Sequence, residues 1–130
     1  MERPLQSVGM AIEPSPGELQ RFRQADDRKP LVLVQLLRFR EGGRERYLEY
    51  SAKAQLILGR LGAQVLYAGE CMQPLLAESP AWDGIVIVRY PSRAAYLEML
   101  ADTEYQAITG LRRAALAEVM LLQMNDWPGR

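Results

Sequence analysis

Histidine is absent from this 130-residue chain, and the side chain with most to offer chemically is an arginine set among apolar residues. At about 100° per residue, a helix starting at Glu104 gathers Tyr105, Ile108, Leu111, Ala115 and Leu116 on one arc, and Arg112 projects inside it. Arg113 turns towards the polar side. A guanidinium aimed at a core needs an anionic or carbonyl partner, because burying it unpaired is costly. One reading is structural: an ion pair with a carboxylate such as Asp83 or Glu70, or a side chain that snorkels to water. The other is functional: an anchor for the carboxylate or enolate of a ligand, which the planar guanidinium fork suits.

Other candidates come from strands and their ends. Strict alternation puts Gln35 on one face with Leu31, Leu33, Leu37 and Phe39, and Arg38 on the other with Val32, Val34 and Leu36. A mid-strand Gln35 is expected to be buried and hydrogen-bonded. By the same rule Arg89 falls with Ile85 and Ile87, and Tyr67 with Val65 and Ala63. Arg38 and Arg89, near strand ends, are expected at the exposed rim. Trp82 reads as a lid over a cavity or as an aromatic plug on the core, and Asp83 as a base or as a turn cap. Arg112, Gln35, Tyr67, Trp82, Asp83 and Arg89 are therefore the candidate ligand-binding residues. Tyr47, Tyr50, Tyr96 and Met99 fall at helix-core spacings and read as packing. Cys71 has no activating base beside it in sequence. Gly42-Gly43 is a turn and lacks the longer pattern of a phosphate loop.

The absent histidine removes Ser-His-Asp and Cys-His nucleophile pairs and His-ligated haem or zinc. One cysteine cannot build a thiolate metal site, so no cofactor is expected. A general base is left to a carboxylate, a tyrosine, an amine such as Lys29 or Lys53, or the substrate itself. Sixteen basic and sixteen acidic residues cancel, which argues against nucleic acid and anionic membrane as partners. The apolar runs LVLVQLL and IVIV are too short to span a bilayer, and MERPLQSVGM lacks the pattern of a secretory signal. A lone cysteine fits a reducing, cytoplasmic setting.

The elements that would position these side chains are set by punctuation and periodicity. Pro4, Pro14, Pro16 and Pro30 set the first thirty residues apart, and Ser15-Pro16-Gly17-Glu18 reads as a capping box opening a helix over 16–25, ended by the polar run ADDRKP. A strand covered on both faces is expected over 31–39. A helix over 44–61 comes next, with Tyr47, Tyr50, Ala54, Ile57, Leu58 and Leu61 inward and Gly62 as C-cap. Leu48 and Leu56 fall outside that arc, where they would meet the N-terminal segment or a partner subunit. Strands are expected over 63–70 and 84–90, with Pro74 and Pro80 limiting order between them. Ser92 caps the next helix, which Asp102-Thr103 interrupts, Thr103 and Gln106 forming a fresh capping box. A last strand over 117–124 completes an α+β, ferredoxin-like βαββαβ order with a four-stranded antiparallel sheet. The expected organisation is an extension (1–30), a domain (31–124) and a tail (125–130).

In combination, VQLLRF with Tyr47 and Tyr50, LGAQVLYAGE, WDGIVIVRYPSRAAYLEML, EYQ and RRAAL resemble the domain of unknown function 1330 family, of the dimeric α/β-barrel superfamily. The resemblance implies a ferredoxin-like protomer and a homodimer through the sheet face. Helices on one side of a sheet with apolar strands leave a second face that needs a cover, which points the same way. Two departures stand out: Gly62-Ala63 where the family usually has Gly-Gly, and Leu111 where a histidine often precedes the helix arginine. Related folds host cofactor-free oxygenases and lactone isomerases, so one function reading is a small-molecule-binding protein, catalytic or not, for an acidic or enolic ligand. The alternative is a non-catalytic dimeric interaction module. A cavity of about 300 Å³ or more containing Arg112 favours the first, and a filled interior favours the second.

Overall fold

Ser15 and Glu18 open the chain's first helix by exchanging hydrogen bonds: the Ser15 hydroxyl accepts from the Glu18 N–H at 3.1 Å and the Glu18 carboxylate from the Ser15 N–H at 2.9 Å. This helix, α1 (Pro16–Gln24), buries Phe22 edge-to-face on Tyr96 with ring centroids 5.5 Å apart. The computed structural model describes residues 12–25, 28–77 and 81–129. Expectations attached to Pro4, to Asp26 and Asp27 and to Pro80 lie outside the described residues.

The remaining elements run β1 (Leu31–Phe39), α2 (Gly43–Arg60), β2 (Gln64–Glu70), β3 (Gly84–Tyr90), α3 (Arg93–Ala101), α4 (Thr103–Ala115) and β4 (Leu116–Met124). The sheet is antiparallel with strand order β2-β3-β1-β4, the ferredoxin-like arrangement of an α+β protein. Gly42 and Gly62, at φ 71° and 79°, supply the left-handed residues on either side of α2. Ser92 caps α3 as expected. The cap of α4 is Asp102, not Thr103: its carboxylate accepts from the Tyr105 N–H at 3.0 Å, and Gln106 instead donates to the Leu100 carbonyl. Carboxylates and hydroxyls compete for this role, and Asp102 sits one residue earlier in extended backbone.

Among the described residues, helices cover one sheet face only. Leu31, Leu33, Leu37, Val88, Tyr90 and Leu116 are buried against them, together with Tyr47, Tyr50, Ile57 and Leu58 of α2. The register carries Gln35 opposite Val86 and Leu121 on this inner face. The other face holds Val34 between Ile87 and Leu122, and Leu36 between Ile85 and Met120. Met120, Leu122 and Met124 remain exposed there. Leu48 and Leu56 are exposed too among the described residues, and α1 lies on α3.

The inner layers meet most closely where α2 starts. The Ala115 carbonyl accepts from the Arg40 N–H at 2.8 Å, and a Cβ added to Gly43 would collide with the Ala115 backbone. Helix α4 passes straight into β4 here, and both Ala115 and Leu116 are wholly buried. Gly43→Ala should therefore cost about 1–3 kcal/mol of stability. Gly110→Ala, in an open stretch of α4, should add about 0.5–1 kcal/mol. Urea denaturation of both variants checks the pair, and equal effects would contradict the packing described.

Candidate functional site

Arg112 lies in the last turn of α4, is buried, and reaches the inner face of β1. Its Nη2 donates to the Gln35 side-chain oxygen at 3.1 Å and its Nη1 to the Ile12 carbonyl at 2.6 Å. Both partners are neutral. No carboxylate among the described residues pairs with it, and the two expected from sequence are engaged elsewhere. Both Glu70 oxygens accept from Arg44 at 2.7 Å, and that hydrogen bond holds the Glu70 carboxyl below its usual range. Asp83 accepts from the Phe39 N–H at 2.8 Å, a long-range bond to the end of β1 and neither the expected turn cap nor an arginine pair.

Around this guanidinium the sheet and helices leave an open-mouthed cavity of about 580 Å³. Leu33 and Gln35 form its floor with Val86 and Val88, and α2, α3 and α4 supply Tyr50, Ala54, Tyr96, Tyr105 and Thr109, with Glu13 and Pro14 at the N-terminal side. Five of the six tyrosines are buried, and all five line it: Tyr47, Tyr50, Tyr90, Tyr96 and Tyr105. The Tyr50 and Tyr105 hydroxyls bond to each other at 2.7 Å, and the Tyr90 hydroxyl donates to the Met99 sulfur at 3.8 Å. Those of Tyr47 and Tyr96 have no protein partner among the described residues, and neither is sealed away unsatisfied. The cavity is thus lined by a charged donor, the Gln35 amide and two tyrosines whose hydroxyls have no protein partner among the described residues.

The structure brings Arg112 and Gln35 together and separates the other candidates from them. Tyr67 is on the outer face and 57% exposed, opposite Ile87. A β-bulge between Val65 and Tyr67 adds one residue and turns Tyr67 away from the face that Val65 keeps. Trp82 lies over the Arg38 guanidinium, 4.5 Å from ring centroid to Cζ, and lines an adjoining groove along β4 that shares Glu13, Pro14, Leu33 and Tyr96 with the cavity. Arg38 is held rather than free at the rim, donating to Glu118 at 2.8 Å and to the Ala81 carbonyl at 2.9 Å. Arg89 is exposed, as its place near the strand end suggested.

A family model described as a domain of unknown function, DUF1330, matches residues 36–125. The chain belongs to the DUF1330 family. Among solved structures, the methylated RPA0582 protein is 28% identical, with a TM-score of 0.83, over 94% of this chain and 99% of that one. A second structure of the Rhodopseudomonas palustris protein, of unknown function, gives 27% identity and 0.80 over 89% and 96%. More distant likenesses show the fold alone. One is a dimeric ferredoxin-like protein of unknown function from Jannaschia sp. CCS1 (14% identity, TM-score 0.61, 75% and 99% covered). Another is a putative antibiotic biosynthesis monooxygenase from Bacteroides thetaiotaomicron (19%, 0.58, 78% and 94%). No curated protein matches.

In this DUF1330 chain Leu111 packs against the core beside Arg112, so no imidazole reaches the cavity. The tyrosines were readable as core from their spacing, but spacing does not reveal that the core they face is hollow. Their protonation is a consequence of burial. Desolvation pushes the Tyr47 phenol up to about 12, against the lowering pull of Arg112. Burial also raises Tyr96 to about 12 and drives Tyr50 and Tyr90 higher still. At neutral pH these groups are neutral donors, not bases. A phenol whose folded value is raised favours the fold below its unfolded value near 10, and that contribution is lost as pH climbs from about 10 towards 12. Stability should accordingly fall over that window, and Tyr47→Phe should flatten the decline. Urea melts at stepped alkaline pH measure this, and a slope unaffected by Tyr47→Phe would refute the assignment.

Proposed function

We propose that this protein binds a small molecule bearing a carboxylate or enolate in the Arg112 cavity, as a homodimer joined through the outer sheet face. The observation that carries the reading is a buried guanidinium with only neutral partners, opening onto about 580 Å³ of space walled by neutral tyrosines. A charge placed this way is matched best by an anion, because a charge-assisted hydrogen bond is roughly twice as strong as a neutral one. The rings suit an apolar or aromatic body attached to that anion. A cavity this large also favours ligand binding over a purely architectural module.

The catalytic form of the proposal is a cofactor-free oxygenase or isomerase acting on an enolisable acid. The name carried by the Bacteroides relative supports it by fold analogy. Arg112 and the Tyr47 hydroxyl would hold the enolate oxygen. Proton removal would fall to the ligand's own anionic group, since burial keeps Tyr47 and Tyr96 protonated. The reading requires no metal and no nucleic-acid partner. No helix among the described residues is long and apolar enough to cross a membrane, and the exposed Cys71 fits a reducing cytoplasm.

Two measurements test these readings. Calorimetric titration with salicylate should show binding that Arg112→Gln weakens by about 10–100-fold, with the neutral salicylamide far less affected. A large fall in melting temperature with an unchanged salicylate response would make Arg112 structural. For the dimer, Val34, Ile87 and Leu122 form a contiguous apolar patch that pairing with a second copy would bury. Ile87→Asp should yield monomers in size-exclusion chromatography with light scattering, whereas a monomeric native protein would reject the assembly.

A further inference from the structure

Glu13 and Pro14 line the rim of the cavity, Ile12 beside them lines the adjoining groove, and two successive arginines of α4 hold this segment in place. Arg112 Nη1 donates to the Ile12 carbonyl at 2.6 Å, while Arg113 donates to the two Glu13 carboxylate oxygens at 3.0 and 3.4 Å. We propose that this segment is a strap over the cavity, positioned by the Glu13–Arg113 pair, and that the ligand's anionic oxygen displaces the Ile12 carbonyl from Arg112. The inference rests on the reading that Arg112 receives an anion.

Three observations carry it. First, the carbonyl occupies an N–H of a buried cation that has no counter-ion among the described residues, so an arriving carboxylate competes for that donor with the advantage of charge. Second, the strap's polar hold at Glu13 is light, while the Ile12 side chain packs part-buried against the core. Glu13 and Arg113 are 44% and 55% exposed, and a pair so solvated holds weakly. Neither Ile12 nor Glu13 makes a backbone–backbone hydrogen bond among the described residues. Third, the helix on the C-terminal side of the strap is firmly held. The reciprocal Ser15–Glu18 cap and the burial of Phe22 on Tyr96 fix α1, so among the described residues the Pro14–Ser15 step is where residues 12–14 would turn. A segment anchored through α1 and held at Glu13 by a solvated pair is suited to displacement by a stronger acceptor.

The test uses the full chain. Ile12→Cys keeps the carbonyl that Arg112 holds and places a thiol on the strap, in a Cys71→Ser background that removes the native one. Its labelling by Ellman's reagent should accelerate when salicylate saturates the protein. Glu13→Gln in the same background should accelerate labelling without salicylate, by about two- to fivefold, the scale of an exposed ion pair. Glu13→Gln alone, in the otherwise native chain, should speed salicylate association and tighten its binding by a similar factor at an unchanged melting temperature. Stopped-flow salicylate fluorescence reads this even if the cysteine variant does not fold. Arg112-dependent salicylate binding with unchanged or slower labelling, or with no gain in association rate for Glu13→Gln, overturns the strap and leaves the anion site standing. Failure of the native protein to bind salicylate, or equal binding by Arg112→Gln, overturns both.

Discussion

A cation buried beside neutral oxygens is the constraint on which the inner half of this molecule depends. Arg112 carries its charge into the space between sheet and helices, and the structure answers it with the Gln35 amide and a peptide carbonyl rather than a carboxylate. Such an arrangement is tolerable because both contacts are hydrogen bonds to a charged donor, and because the site stays open to water at its mouth. Filling the space with aliphatic side chains would have closed that route. The tyrosines are the compromise: their rings bury apolar area while their hydroxyls keep the vicinity of the guanidinium polar.

That constraint also explains the position of the N-terminal segment. The Ile12 carbonyl reaches Arg112 only because α1 is seated on α3, and α1 is seated by one buried aromatic, Phe22, under the Arg93 guanidinium at 4.6 Å. Burying such a side chain is worth about 1.5–3 kcal/mol, more than the exposed Glu13–Arg113 pair contributes. The hierarchy runs from a firmly packed helix to a lightly held strap to a charge that another partner can claim.

Much of this was legible in the residues. β1 and β3 begin and end where their apolar runs do, because Pro30 and the EGG turn bound one and Asp83 and Pro91 bound the other. The Ser15–Glu18 box and Gly62 mark helix ends through local chemistry that needs no tertiary context. The side of Gln35 and Arg112 was set by period alone. Three things were not legible. The bulge at Leu66 has no Gly or Pro to announce it, and it reversed Tyr67. One of the two partners of Arg112 proved to be the Ile12 peptide carbonyl, which every residue possesses and no sequence pattern advertises. The cavity is a volume left over between elements, and inward-facing Tyr47, Tyr50 and Tyr96 read the same whether the space before them is full or empty.

The direct passage from α4 into β4 has a consequence for how such chains can vary. No loop separates Ala115 from Leu116. An irregularity in the pairing sets Leu116 against Phe39 and Glu118 against Arg38, and beyond it the strand alternates, sending Val119 and Leu121 to the helix side and Met120, Leu122 and Met124 to the other. With a side-chain period of two, one residue more or fewer ahead of that alternating stretch, if the irregularity did not absorb it, would exchange the two sets. The parity of the chain length between Arg112 and β4 is therefore itself a structural quantity: it determines which side chains floor the cavity and which face away from it.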